Sequence, residues 1–429
     1  MIEIIKKMLE EQEGRNKTFY EDWERYKTKN VAIFKRTLPA AQKINNKINH
    51  DYVGVIVSTK VGHFLGNPVS IALDDDTKNS KDAEILKFRR YTAFDRVLSE
   101  LAIQAAVVGY GVCLAYIDEN AKFDFIEIDP WACYFSEDLA FRIIKDKDDK
   151  GDNIEVIEVY DKEKKYYYLK KESAITPLSE FKNNKSGINH LFNNIPLFKF
   201  KNNKEELSET YRVRNIIEVV DKMYSDLASE LEQFRLAYIK FKGCVPTDEM
   251  IENMKQTGAL WLEDPNMDVD FITKIVNIEG ILKAIESEVE NIFKFAQTYD
   301  SQKNREGYGQ LTNLGIHFMI APLNNNCKRT IHYFKEALYQ LFDFYSQTSD
   351  GKWLEPLTLN FIFTLDTPRN ILEESQIQRN LEGLVSTETR LKLATFVDNP
   401  AIEIEKMQKE EEMKDEYDGL GDNNEAKEE

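Results

Sequence analysis

No stretch of this 429-residue chain reads GxxxxGK[ST], and Gly351-Lys352 lacks the upstream glycine. The phosphate cradle of a P-loop motor is therefore missing. Neither HExxH nor paired Cys/His spacing occurs, and the five histidines (His50, His63, His190, His317 and His332) are scattered along the chain. Each reads as a structural histidine, so no metal site is expected. The GxSxG elbow of serine hydrolases is also absent. Cys113, Cys133, Cys244 and Cys327 form no CxxC pair and read as reduced, buried small hydrophobes of a cytosolic protein. The run Asp74-Asp75-Asp76 lacks EF-hand spacing and reads as a solvated turn. With 31% of residues charged, Glu-x-Lys pairs such as Glu163 with Lys165 arise by chance and do not make a nuclease. No catalytic residue and no cofactor are expected.

Positive charge is outnumbered, 57 Lys and Arg against 75 Asp and Glu. The formal net charge is −18, whereas a protein that grips duplex DNA presents a basic face to the phosphates. Residues 403–429 hold 12 acidic against 4 basic residues, which is −8 of the −18 and leaves −10 on the rest. The longest uncharged run, 101–117, has 17 residues and includes Gln104, Gly109 and Gly111. A spanning helix needs roughly 20, so no membrane segment is expected. The charged amphipathic start, MIEIIKKMLEEQEGRNK, does not read as a signal peptide.

The composition, 42% hydrophobic, is that of a globular protein with a large core. Patterning predicts helices over 1–29, 46–65 and 84–108, with a short strand VSIAL after Asn67-Pro68. From Gly111 the period changes to two. VCLAYID, FDFIEID, FRIIKDK, IEVIEVYD, KYYYLKK and IPLFKFK read as strands of an antiparallel meander, with Tyr166, Tyr167 and Tyr168 as strand aromatics. The clearest helix is 208–240, with Ser208 as N-cap and a stripe of Ile216, Val220, Met223, Leu227, Leu231, Phe234 and Tyr238. Glu218, Asp221 and Glu232 fall on its opposite face, with Asp226 and Glu230 on a flank. A small α/β insert follows, comprising a helix over 247–255 and strands ALWLED and DVDFITKIV. A second helix spans 280–297. Residues 300–313 read as a polar loop, 314–345 as a helix kinked near Pro322, and 356–365 as a strand. Helices resume at 370, and residues beyond about 414 read as disordered.

Four stretches resemble the portal family of tailed phages, in the branch typical of phages of Gram-positive bacteria. In NHDYVGVIVSTKVGHFLGNPVSI, the residues Lys60, Gly62, His63, Phe64, Leu65, Gly66 and Pro68 match the family's Lys-x-Gly segment. VGYGVCLAYIDENAKFDFIEIDP resembles its Gly-x-Gly hairpin with an Asp-Pro ending. SDLASELEQFRLAYIKFKG resembles its Ser-Asp helix, with Ile239 where the pattern has Leu. Near the C-terminus, Gly383, Ser386, Thr389, Val397, Asp398, Pro400 and Glu403 match Gly-x-x-Ser-x-x-Thr followed by Val-Asp-x-Pro. Residues 308–315, YGQLTNLG, depart from the Ser-Gly-x-Ala-Leu of many relatives.

The resemblance implies an α+β, mainly helical portal fold that assembles as a ring of twelve copies. Its parts are a wing at 1–204, a stem helix at 205–242, a clip at 243–279 and a second stem helix at 280–297. A tunnel loop at 298–313, a long helix with a wing-return strand at 314–369, a crown at 370–413 and an acidic tail at 414–429 complete it. It implies a virion protein, assembled in the host cytoplasm, through which double-stranded DNA passes. The implied partners are terminase, a head-to-tail adaptor, and the major capsid and scaffolding proteins. Glu218, Asp221 and Glu232 are the expected acidic lining, or else an ordinary solvated face. In the loop, Lys303 and Arg305, with Tyr308, either touch passing phosphates or are plain surface groups. Trp261, Glu263 and Asp264 mark the expected docking edge of the clip, although Trp261 fits a core position equally. The competing readings are a metal-dependent phage nuclease, tested by Mg²⁺-dependent DNA cleavage, and another minor head protein.

Overall fold

The computed structural model describes residues 1–39, 44–73, 78–147, 151–172, 174–182, 184–234, 238–243, 245–258, 267–272, 277–300, 313–367, 371–394, 397, 403–404 and 406–410. Two units divide the chain: Met1–Tyr299 with Pro322–Asp366, and Asp300–Ala321 with Thr367–Glu429.

The first unit opens with helix α1 (Ile2–Tyr26). Helix α2 (Tyr52–Leu65) starts later than the pattern suggests, because Asp51 caps it by accepting from the Gly54 amide at 2.9 Å. Strand β1 (Ser70–Leu73) follows. The helix expected over 84–108 is two helices, α3 (Lys78–Tyr91) and α4 (Phe94–Val108). Ala93 breaks them with a left-handed φ of 49°, and Arg89 pairs with Asp95 across the break at 2.6 Å.

Six predicted strands are present: β2 (Tyr110–Ile117), β3 (Phe123–Ile128), β5 (Ala140–Lys147), β6 (Asn153–Tyr160), β7 (Lys164–Lys171) and β12 (Leu197–Lys201). They do not form one meander. With β4 (Cys133–Phe135), β8 (Ala174–Leu178) and β11 (Ile188–Asn189), strands β5, β6 and β7 make a sheet ordered β11-β7-β6-β5-β4, on which β8 pairs β7. The last strand, β12, turns back to pair β2 and gives a separate sheet, β12-β2-β3. A small hairpin, β9 (Glu180–Phe181) with β10 (Asn184–Lys185), lies between β8 and β11 in sequence.

The turn from α4 into β2 explains the Gly-x-Gly pair. Gly109 has a φ of 111°, and a Cβ there would lie 2.0 Å from the Glu206 carbonyl oxygen. At Gly111 an added Cβ would meet the Leu101 carbonyl oxygen at 2.3 Å. Only glycine admits so close a backbone approach. At the edge of β4, the Gln12 side chain of α1 donates to the Phe135 carbonyl at 2.8 Å and accepts from its amide at 3.2 Å. Asn16 donates to the Cys133 carbonyl at 2.9 Å.

Helix α5 runs over Arg214–Phe234, not 208–240. Upstream, the Glu209 amide donates to the Ala106 carbonyl and fastens residues 208–213 to the core before the helix begins. Downstream, the alternating YIKFK forms β13 (Tyr238–Lys242), paired with β14 (Asp268–Ile272). Between them lies α6 (Asp248–Thr257), capped by Thr247. Helix α7 (Ile278–Phe295), capped by Asn277, packs Ile285 and Ile292 against Ile217, Val220 and Leu227 of α5. Helix α8 (Asn313–Ser346) contains Pro322, where the division between the units falls. In the first unit its Phe334, Leu338 and Phe342 join α4 and β2 in the main core. A 3₁₀ turn (Pro356–Thr358) precedes β15 (Leu359–Ile362), which returns to pair β1.

The second unit includes α9 (Ile371–Asn380) and α10 (Thr387–Leu393). Ser386 caps α10 by accepting from the Thr389 amide at 3.2 Å. Cys113, Cys133 and Cys327 are free and buried as expected. Burial pushes the Cys327 thiol up to about 12. Cys244 and the Asp74–Asp76 run lie outside the described residues, as do the expected strand 259–264 and residues 411–429.

Candidate functional site

Helix α5 carries the three acids expected to line a channel, and the fold gives each a different setting. Asp221 is 1% exposed. Its Oδ1 accepts from the His50 amide at 2.9 Å and lies 3.1 Å from His50 Nδ1. Burial raises the Asp221 carboxyl above its ordinary range, against the His50 hydrogen bonds that lower it. Glu218 is half-buried and accepts from Arg25 at 2.9 Å. Glu232 is exposed, and its Oε2 accepts from Asn46 Nδ2 at 2.9 Å.

The contacts of Asp221 and Glu232 belong to a single construction. The segment 44–51 lies along α5 as a strap. Its amides at Asn46, Ile48 and His50 donate to Ser229 Oγ (3.1 Å), Ser225 Oγ (2.9 Å) and Asp221 Oδ1 (2.9 Å). Four helical residues climb about 6 Å, and two extended residues reach about 6.6 Å. Alternate strap amides therefore meet successive turns of one helix face. Each serine hydroxyl also donates to the carbonyl four residues back, Ser225 to Asp221 at 2.7 Å and Ser229 to Ser225 at 2.8 Å. Arg36 pairs with Asp226 at the same flank. Asp221 is thus committed to the chain's own strap, which removes it from the lining set, while Glu232 stays at the surface. The spacing Asp-x₃-Ser-x₃-Ser was visible in the sequence, but nothing there marked its partner.

At the base of α5, Arg214 and Arg25 surround Asp22, and burial pushes the Asp22 carboxyl up while these guanidiniums oppose it. Deeper still lies Lys60, 1% exposed. Its ammonium pairs with Glu209 and donates to Asn202 Oδ1 at 2.8 Å and Asn326 Oδ1 at 3.4 Å. Glu209 also accepts from Asn202 Nδ2 at 2.7 Å and Asn326 Nδ2 at 2.6 Å. Burial works against the charged carboxylate, yet Lys60 and the two amides hold it below the ordinary range. In the same α2 segment, His63 meets Asn324 at 2.6 Å, and Phe64 packs edge-on against Phe334. The Lys-x-Gly-His-Phe motif is therefore a core junction. The sequence flagged Lys60 but not Glu209, its partner 149 positions away.

Lys303, Arg305 and Tyr308, and likewise Trp261, Glu263 and Asp264, lie outside the described residues. Among the described residues, no cluster of three or more His, Cys, Asp or Glu side chains is arranged to hold a metal ion. Nor is any helix there long and apolar enough to cross a membrane.

Comparison with known proteins bears on this arrangement. The family model for phage portal proteins of the SPP1 Gp6-like type matches residues 6–417. The chain belongs to that family. It is 22% identical over 395 residues to the portal protein of Bacillus phage SPP1, covering 86% of this chain and 76% of that protein. With the portal protein of Clostridium phage phiCD119 it shares 21% over 438 residues, covering 92% and 91%. A solved structure, the neck of an empty GTA particle computed with C6 symmetry, superposes with a TM-score of 0.49 at 12% identity, covering 80% of this chain and 88% of that one.

Proposed function

We propose that copies of this chain close into a ring, twelve in number, at one vertex of a phage capsid. Double-stranded DNA passes through the ring during packaging and ejection. Terminase docks first and supplies the ATPase, and head-to-tail connector proteins replace it; capsid and scaffolding proteins surround the ring. The observation carrying this reading is the family match along residues 6–417. In such a ring every interface is head-to-tail, one patch of a copy meeting a different patch of the next. The role is structural and not enzymatic, within the virion.

A channel must let DNA slide, and every phosphate it neutralises becomes a hold on the strand. The body charge of about −10 outside 403–429 suits that task. In this reading Glu232 and the half-buried Glu218 of α5 face the channel, the tunnel-loop cations Lys303 and Arg305 touch phosphates weakly, and the edge around Trp261 receives the docking proteins.

Electron microscopy of purified protein tests the ring: homogeneous rings with a central channel are expected, and a monomer at every concentration would end the proposal. For the lining, Glu218→Lys with Glu232→Lys is expected to slow DNA packaging by assembled particles. Unchanged packaging would discard the acidic lining while leaving the ring untouched.

A further inference from the structure

We infer that the buried Lys60–Glu209 pair is a positioning device, which fixes where residues 202–213 hand the chain over to α5 and so sets the subunit shape on which ring closure depends. The last clause rests on the ring proposed above.

The geometry is unusually complete for a charge pair in an apolar core. An ammonium has three N–H donors, and Lys60 has three acceptors, on Glu209, Asn202 and Asn326. Asn202 uses its own amide nitrogen twice, toward Glu209 and the Leu207 carbonyl at 2.9 Å. Its backbone carbonyl accepts from Thr330 Oγ1 at 2.9 Å. None of these side-chain atoms is buried without a partner. Three parts of the chain meet here: α2 through Lys60, the stretch after β12 through Asn202 and Glu209, and α8 through Asn326 and Thr330.

Such a node contributes direction more than strength. Two charges taken from water lose about as much as they regain on pairing, and a well-packed apolar substitute is often as stable. Apolar contacts tolerate sliding and repacking. A fully bonded ammonium accepts one placement of its partners. The segment it fixes leads directly into α5: Glu209 is followed by Thr210, whose carbonyl accepts from the Val213 amide at 3.1 Å and the Arg214 amide at 2.9 Å as the helix begins.

The test replaces Lys60, Glu209 and Asn326 by apolar groups of similar size, Lys60→Met, Glu209→Leu and Asn326→Leu together. It leaves Asn202 its bonds to the Leu207 carbonyl and the Thr330 hydroxyl, and compares this variant with the parent and with Glu209→Gln. Three quantities are read: the thermal midpoint, hydrogen exchange at amides 213–217, and the subunit number of rings by native mass spectrometry. The triple variant is expected to melt cooperatively at or above the parent, yet to exchange severalfold faster at 213–217 and to give rings of mixed number or none. Glu209→Gln, which strands the Lys60 charge, is expected to melt below the parent.

Parent-like exchange and ring number in the triple variant would overturn the inference. So would a triple variant that fails to fold, since the pair would then be holding the fold together and not directing it. A parent-like midpoint for Glu209→Gln would also count against it. Exchange is read whatever the assembly state, so a parent that forms no rings speaks against the ring and leaves the local comparison standing.

Discussion

Gly111 sits where β2 passes under α4, and its missing Cβ is what lets the two backbones approach. Gly111→Ala must push Leu101 and its turn away, at a cost of about 1–3 kcal/mol. A lowered midpoint in chemical denaturation, with unchanged slope, checks this. Glu209 makes a prediction of a different kind. In the folded chain Lys60 and the two amides hold its carboxyl below the ordinary range against the pull of burial. Its contribution to stability is therefore full above the unfolded pKa and is lost as pH falls through the depressed folded pKa. Glu209→Gln removes that contribution, so its melting temperature should fall less than the parent's on acidification below about pH 4.5. Asp221 has the opposite sign: burial raises its carboxyl, so the folded state takes up that proton first and acidification favours folding at this group. The difference between the Glu209→Gln and parent curves cancels that background.

At the scale of elements, the strap and α5 form a unit whose rungs are three side chains on one helix face. Ser225→Ala and Ser229→Ala each take away the acceptor of a strap amide and should cost about 1 kcal/mol apiece. Hydrogen exchange should rise first at the Ile48 and Asn46 amides respectively, and equal protection in both variants would show that the strap stays down without its rungs. This element also shows what a sequence conveys and what it withholds. The amphipathic stripe of α5 was plain, and Val220 and Leu227 are buried as it requires. Its ends were not. Helical periodicity persists across 208–240, but Glu209 answers to Lys60 and YIKFK answers to β14, partners that local spacing does not contain. Leu231, placed on the apolar stripe, is 45% exposed in this chain.

For the whole molecule, strand identity was legible and strand partnership was not. Each of the six period-two segments is a strand, because alternation is a property of the segment itself. That β12 leaves the meander for β2 follows from the Gly-x-Gly turn and from Phe198 and Phe200 packing on α8, which only the folded chain brings near. The family was legible for a related reason. Its motifs mark tight spots of the backbone and core: Lys60 in its polar node, Gly109 against Glu206, Gly111 under α4, and Ser386 at the start of α10. The expected acidic lining had no such anchor. It was read from one helix face, and on that face Asp221 proved to hold the chain's own strap.

Gln12 and Asn16, which occupy the outer edge of β4, have a consequence for the proposed ring, in which many copies would stand side by side. An open strand end invites the next molecule to add its own strand, and then the next. With two side chains of the first helix spent on that rim, a neighbouring copy in such a ring would find this strand edge already taken, and would have to associate through other surfaces.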